Sequence, residues 1–268
     1  MTSPITQEPT VELDDARASR LRIFNAVMGV LHLISGAAMI VLGNDFELEV
    51  SSFALNGPPG TSLSEGEISR VVGIPLALAT AAFLLLSALF HFVIAGPGFS
   101  KYVDELRHGR NRFRWVEYSL SSTLMIVLIA LVTGITDLAA LIAIAVVNAS
   151  MILFGWIMEM VNDPTDGART WWTPFWFGCV AGVGPWSAIV VYLVVNLSRE
   201  GAEQPPTFVY GIIATLFVLF NCFAVNQWLQ YRRVGKWNDY VFGESVYIVL
   251  SLTAKSLLAW QIFANTLI

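Results

Sequence analysis

The sequence predicts an all-α membrane protein, a bundle of seven transmembrane helices with its N-terminus cytoplasmic and its C-terminus extracellular. Three observations carry this. Of the 268 residues, 56% are hydrophobic and only 13% charged, roughly half the charged share of a soluble domain. Seven apolar segments approach the length of about 20 residues that a helix needs to cross the hydrocarbon core. Lysine and arginine gather on one side of those segments.

The elements follow in chain order. Residues 1–20 are polar, acidic and rich in turn formers. They read as a disordered cytoplasmic tail with no cleavable signal, ahead of one membrane domain over residues 21–268. The seven spans are residues 23–42, 71–95, 115–133, 138–158, 174–197, 207–229 and 246–267. Between them lie segments carrying Gly, Pro and charge, such as NGPPGTSLSEGE, GPGFSKYVDELRHGRNR and RRVGKWND, which are loop signals. The first connection is the longest, and the alternation in FELEVSSFAL followed by NGPPG suits a surface hairpin.

Orientation follows from the basic residues, which favour the cytoplasmic side. One side holds Arg17, Arg20, Arg22, Lys101, Arg107, Arg110, Arg112, Arg114, Arg169, Arg232, Arg233 and Lys236; the other holds only Arg70 and Arg199. The N-terminus is therefore expected inside. The net charge of -5 argues against nucleic-acid binding. Cys179 and Cys222 fall in apolar runs and read as small core residues.

An ionisable group in hydrocarbon costs several kcal/mol unless paired or wetted. Four lie well inside the expected spans: His32, His91, Glu117 and Lys255. Two readings of Lys255 are open. It is a structural lysine paired across the bundle, or a desolvated amine able to condense with a carbonyl to a Schiff base. A protonated Schiff base needs an anion, and Glu117 is read as the only buried carboxylate. Lys255 lies about 13 Å into the seventh span at 1.5 Å per residue, and the two meet if the third span begins a turn early. Ser251 stands four residues before Lys255 on the same face, and Arg114, Glu117 and Ser121 share a face of the third span, with Tyr118 and Ser122 beside them. Asn148, Ser150 and Gly155, with Trp186, Phe220 and Trp260, are candidates to enclose an elongated apolar ligand.

The strings LNGPPGT, SALFHFV, FRWVEYSLSS, VNASMILFGW, PFWFGC, FVYGII and YIVLSLTAKSLLAWQIF resemble heliorhodopsins, the inverted-topology branch of the microbial rhodopsins, over nearly the whole chain after residue 20. The resemblance implies a rhodopsin-like bundle holding covalent all-trans retinal as a protonated Schiff base on Lys255, with Glu117 as counterion. It places His32 and His91 in an inner polar network. Ser87, Arg114, Tyr118, Ser122, Asn148, Met151, Trp186, Phe220 and Trp260 match pocket or network positions. It further implies a homodimer in the cell membrane, and no ion transport.

Two functions compete. A light-driven proton or ion transporter needs sites on both sides of the Schiff base, yet the third span carries Leu128 where pumps carry a second carboxylate, in the uncharged run STLMIVLIALV. A photosensor needs only the inner cluster and a surface for an unidentified cytoplasmic partner or anionic lipid, and is the expectation. No metal-ligand spacing, phosphate loop or hydrolase triad appears, so no enzyme activity is expected.

Overall fold

The computed structural model describes residues 11–165, 169–199 and 206–266. The first ten residues of the expected tail, parts of two interhelical loops and the last two residues lie outside the described residues. Ten elements run in the order α1 (Asp15–Leu42), β1 (Glu47–Leu55), β2 (Gly66–Pro75), α2 (Leu76–Ala95), α3 (Phe99–Arg107), α4 (Arg112–Thr133), α5 (Leu138–Val161), α6 (Thr173–Ser198), α7 (Thr207–Arg232) and α8 (Tyr240–Thr266), joined by short single-turn helices. All but the two strands and α3 are long and apolar enough to span a membrane, giving seven candidate spans among the described residues.

Local chemistry sets the helix ends. The side chains of Asp14, Asn111 and Asp137 accept from the backbone N–H groups of Arg17, Arg114 and Ala140, capping α1, α4 and α5. Gly134 ends α4 in the left-handed region at φ 101°, where a glycine carries no Cβ penalty. The helices expose large apolar side chains such as Ile34, Val146, Val180 and Val218, as a surface facing hydrocarbon does. Strands β1 and β2 form the expected antiparallel hairpin, pairing Glu47 with Pro75 through Leu55 with Gly66.

Four expectations are corrected. Residues 11–20 are not a disordered tail. Val11 and Leu13 are buried with Ala18 and Leu21 against Tyr102, Val103 and Leu106 of α3, and the Val11 N–H bonds to the Arg107 carbonyl. The segment between the second and third spans, read as loop, carries α3, whose apolar face covers that end of the bundle. Residues 71–75 belong to β2, so the second span begins at Leu76. The fourth span runs on to Val161 and the seventh begins at Tyr240, because hydropathy alone stops at charged residues that the folded bundle buries.

The bundle has two unlike halves. Towards the hairpin, Met39, Phe83, Leu84, Met125, Leu128, Ile129, Ile189, Leu216, Leu258 and Ile262 form one apolar core. Towards α3, the interior carries Asn25, His91, Arg114, Glu117, Glu159, Glu244, Ser251 and Lys255, all buried.

Candidate functional site

Helix α8 places the key amine. Tyr240, Glu244, Tyr247, Ser251 and Lys255 follow one another at steps of three or four, so one face of the helix points inward over four turns. Lys255 is 3% exposed. Its Nζ donates to Glu117 Oε1 at 2.8 Å and to Ser251 Oγ at 2.7 Å, and lies 5.1 Å from the centre of the Tyr118 ring. The early start of α4 brings Glu117 to that depth, as the pairing required. The Ser87 hydroxyl donates to the same Glu117 oxygen at 2.6 Å. The Tyr118 hydroxyl donates to the Tyr247 carbonyl at 2.9 Å, tying α4 to α8. A paired, hydrogen-bonded ion pair is the form in which two charges survive burial.

A cavity of about 690 Å³ opens beside the amine, within the size range of small-molecule sites. Tyr118, Ser121, Ser122, Met151, Gly155, Trp186, Phe220, Ser251 and Lys255 line it as expected, joined by Trp115, Phe223, Gln227 and Tyr247. Trp186 meets Phe217 and Phe220 edge-on, at 5.3 and 5.6 Å between ring centres. Gly155 has a steric reason: a Cβ there would collide with the Trp115 indole. Val183, Val190 and Val191 line the cavity yet are exposed on the bundle's outer face, so it opens beside α6 towards the hydrocarbon. Ser121 is fully buried, with a hydroxyl that has no hydrogen-bond partner among the described residues.

Three site expectations change. Trp260 is 41% exposed and packs on Phe263, away from the cavity. The step from Lys255 to Trp260 is five residues, which turns the side chain off the inward face. Asn148 is buried but does not line the cavity; its amide donates to Ser122 and Thr123 at 3.0 Å, locking α5 to α4. The Ser150 hydroxyl bonds its own helix at Val146 on the exposed side.

Glu117 is also not the only buried carboxylate. Glu159 and Glu244 are 2% and 1% exposed, and both pair with the Arg114 guanidinium. Asn111 donates its backbone N–H to Glu159 and its side-chain amide to Glu244, while the Trp115 indole N–H donates to Glu159. The guanidinium lies 4.5 Å from the Trp115 ring centre and 4.0 Å from that of Tyr247. Both rings line the large cavity, so Arg114 sits under its floor. It belongs to this second cluster and does not contact Lys255. The inward face of α8 was the signal that finds Glu244, and Glu159 falls four residues after Gly155.

His32 and His91 stack across α1 and α2 with ring centres 5.5 Å apart. His91 Nδ1 bonds Asn25 Oδ1 at 2.8 Å, and neither ring nitrogen of His32 has a hydrogen-bond partner among the described residues. A second, small cavity of about 30 Å³ lies among Asn25, Ser87, His91, Tyr102, Arg114, Glu117, Glu244 and Ser251. It joins the two charged clusters. Tyr102, on α3 outside the spans, has its phenol held well above its usual range by burial and then by the charge of Glu244, so it faces this cavity as a neutral group.

No curated protein matches the chain. Among solved structures, the crystal structure of a light-driven proton pump from Leptosphaeria maculans matches with a TM-score of 0.62 and 17% identity, over 95% of this chain and 97% of that one. At that identity the likeness shows the fold, a rhodopsin bundle. A family model described as heliorhodopsin matches residues 21–267, and the chain belongs to the heliorhodopsin family.

Proposed function

We propose that the protein is a light sensor that carries retinal on Lys255 as a protonated Schiff base, balanced by Glu117. The observation that carries this is a buried amine, salt-bridged to a buried carboxylate, at the wall of a large and mostly apolar cavity. The residues present fit the group. An aldehyde would have access to Nζ from the cavity, the aromatic side chains of α6 and α7 would hold an apolar chain, and Ser251 and Glu117 would accept from the N–H at Nζ. Retinal, once bound, supplies absorption of a visible photon and a change of shape.

The protein supplies the rest. Glu117 holds the positive charge at Nζ, and Ser87 holds Glu117 in place through its own hydrogen bond. Among the described residues, the hydrogen-bond partners of Nζ are Glu117 and Ser251, and Ser87 and His91 border the small cavity that both of them line. Towards the hairpin stands the apolar core with Leu128 at 3% exposure. A pump needs proton sites on both sides, so this asymmetry favours sensing over transport. Movement of the cavity floor at Trp115 and Tyr247 reaches Arg114, Glu159 and Glu244 directly, and through them the ends of α4, α5 and α8. The output then lies at the end bearing the basic loops, the cytoplasmic end by the charge rule, where a signalling partner or anionic lipid would meet it. A homodimer in the cell membrane accords with the family.

Illumination of cells expressing the pigment tests the choice between sensor and transporter. The expected result is no pH change in the medium with or without a protonophore. A light-driven shift abolished by the protonophore, or a steady photocurrent, would favour transport.

A further inference from the structure

Asn25 is placed to decide which nitrogen of His91 carries a proton. It lies on α1, 1% exposed, and its Nδ2 donates to the Leu21 carbonyl at 2.9 Å. A carbonyl oxygen only accepts, so this bond fixes the amide orientation and turns Oδ1 towards α2. There Oδ1 stands 2.8 Å from His91 Nδ1. Oδ1 has no hydrogen to give, so Nδ1 must carry one. A neutral imidazole has a single N–H, which leaves Nε2 with a free lone pair.

Both residues line the small cavity that also touches Ser87, Glu117 and Ser251. Its volume of about 30 Å³ has room for roughly two waters at about 10–15 Å³ each. A proton leaving Nζ by way of its partners Glu117 or Ser251 would therefore enter a space that His91 also borders.

We propose that Asn25 is a positioning residue that holds His91 as its Nδ1–H tautomer, so that Nε2 is the atom that takes the proton from the Lys255 imine. The role in proton transfer rests on the photochemical reading; the tautomer does not. The transfer balances without any further reactant. The imine N–H bond breaks and its electron pair stays on nitrogen, while the Nε2 lone pair forms the new N–H bond. The resulting imidazolium keeps its Nδ1–H bond to Oδ1, now charge-assisted and stronger. Return of the proton reverses each step.

The groups facing His91 suit this task. Glu117 and Ser251, which hold the Lys255 amine, border the same cavity, His32 stacks on the ring from α1, Tyr102 approaches from α3, and Arg114 and Glu244 also line the space. A carboxylate in place of the neutral Asn25 amide would favour a charged His91 in the dark and remove the free lone pair.

Solid-state NMR of protein labelled with [15N]histidine, in liposomes and in the dark, tests the claim, with the His91 signals identified by their loss in His91→Gln. The wild type is expected to show Nδ1 protonated and Nε2 proton-free, with or without retinal added. In Asn25→Leu the proton is expected to move to Nε2, and light-induced deprotonation of the pigment to slow by at least about tenfold, as when a general base is left in the wrong tautomer. Asn25→Asp is expected to show both nitrogens protonated before illumination, and it serves where Asn25→Leu does not fold. A wild-type proton on Nε2, or an unchanged tautomer in Asn25→Leu, would overturn the assignment. A reversed tautomer with unaltered deprotonation would overturn the proton-accepting role. A colourless wild type would sink the photochemical reading alone, because the tautomer is measured without the chromophore.

Discussion

Lys255 Nζ and Ser87 Oγ reach the same oxygen of Glu117, at 2.8 and 2.6 Å, the one from α8 and the other from α2. One carboxylate oxygen therefore carries both the counter-charge and the bond that steadies it. Glu117→Gln leaves the cation without its anion, so the pKa of the Schiff base falls. At neutral pH the variant is expected to absorb in the near-ultraviolet, and acidification is expected to restore a visible band. A pH titration of the spectrum checks this. A visible band unchanged at neutral pH would place the counterion elsewhere.

Ser87→Ala removes the second bond to Glu117 and leaves the ion pair. A smaller change follows: a shifted absorption maximum and a Schiff-base pKa displaced less than in Glu117→Gln. Side-by-side titration of the two variants measures the order. The reverse order would show that the serine, not the acid, dominates the balance.

Arg114→Met leaves Glu159 and Glu244 buried together without their cation. Breaking a buried pair from one side costs about 3–5 kcal/mol. Glu244→Gln is milder, because Arg114 keeps Glu159. Thermal loss of pigment colour is expected to rank wild type, Glu244→Gln and Arg114→Met from most to least stable.

Gly155→Val drives two branches into the Trp115 indole. Overpacking of this kind costs about 1–3 kcal/mol, and here it also narrows the cavity. Reduced pigment yield on reconstitution with retinal is expected, with partial recovery in the double variant Gly155→Val, Trp115→Phe. Trp260→Ala makes the contrast. At 41% exposure and away from the cavity, its loss is expected to leave the absorption maximum in place.

Much of this was legible from the chain. Hydropathy shows all seven spans, and the hairpin follows from alternation and NGPPG. The pairing of Lys255 with Glu117 follows from two charges with nowhere else to go. What hydropathy hides is charge buried at helix ends. Glu159 and Glu244 fall at the edges of apolar runs, where a window reads them as loop, yet Arg114 neutralises both inside the bundle. The same blindness hid α3, which is amphipathic and too short to span, and the order of Val11 and Leu13, which comes only from packing against it. Trp260 misled because aromatic identity says nothing about which way a helix turns.

The central claim is a covalent bond at one nitrogen, and it has a direct measurement. Pigment formed with all-trans retinal is reduced with borohydride, digested and mapped by mass spectrometry, beside Lys255→Ala carried through the same steps. A retinyl adduct on the peptide containing Lys255, with no visible band in Lys255→Ala, is the expected result. An adduct on another lysine, or a visible band that survives in Lys255→Ala, would contradict the account.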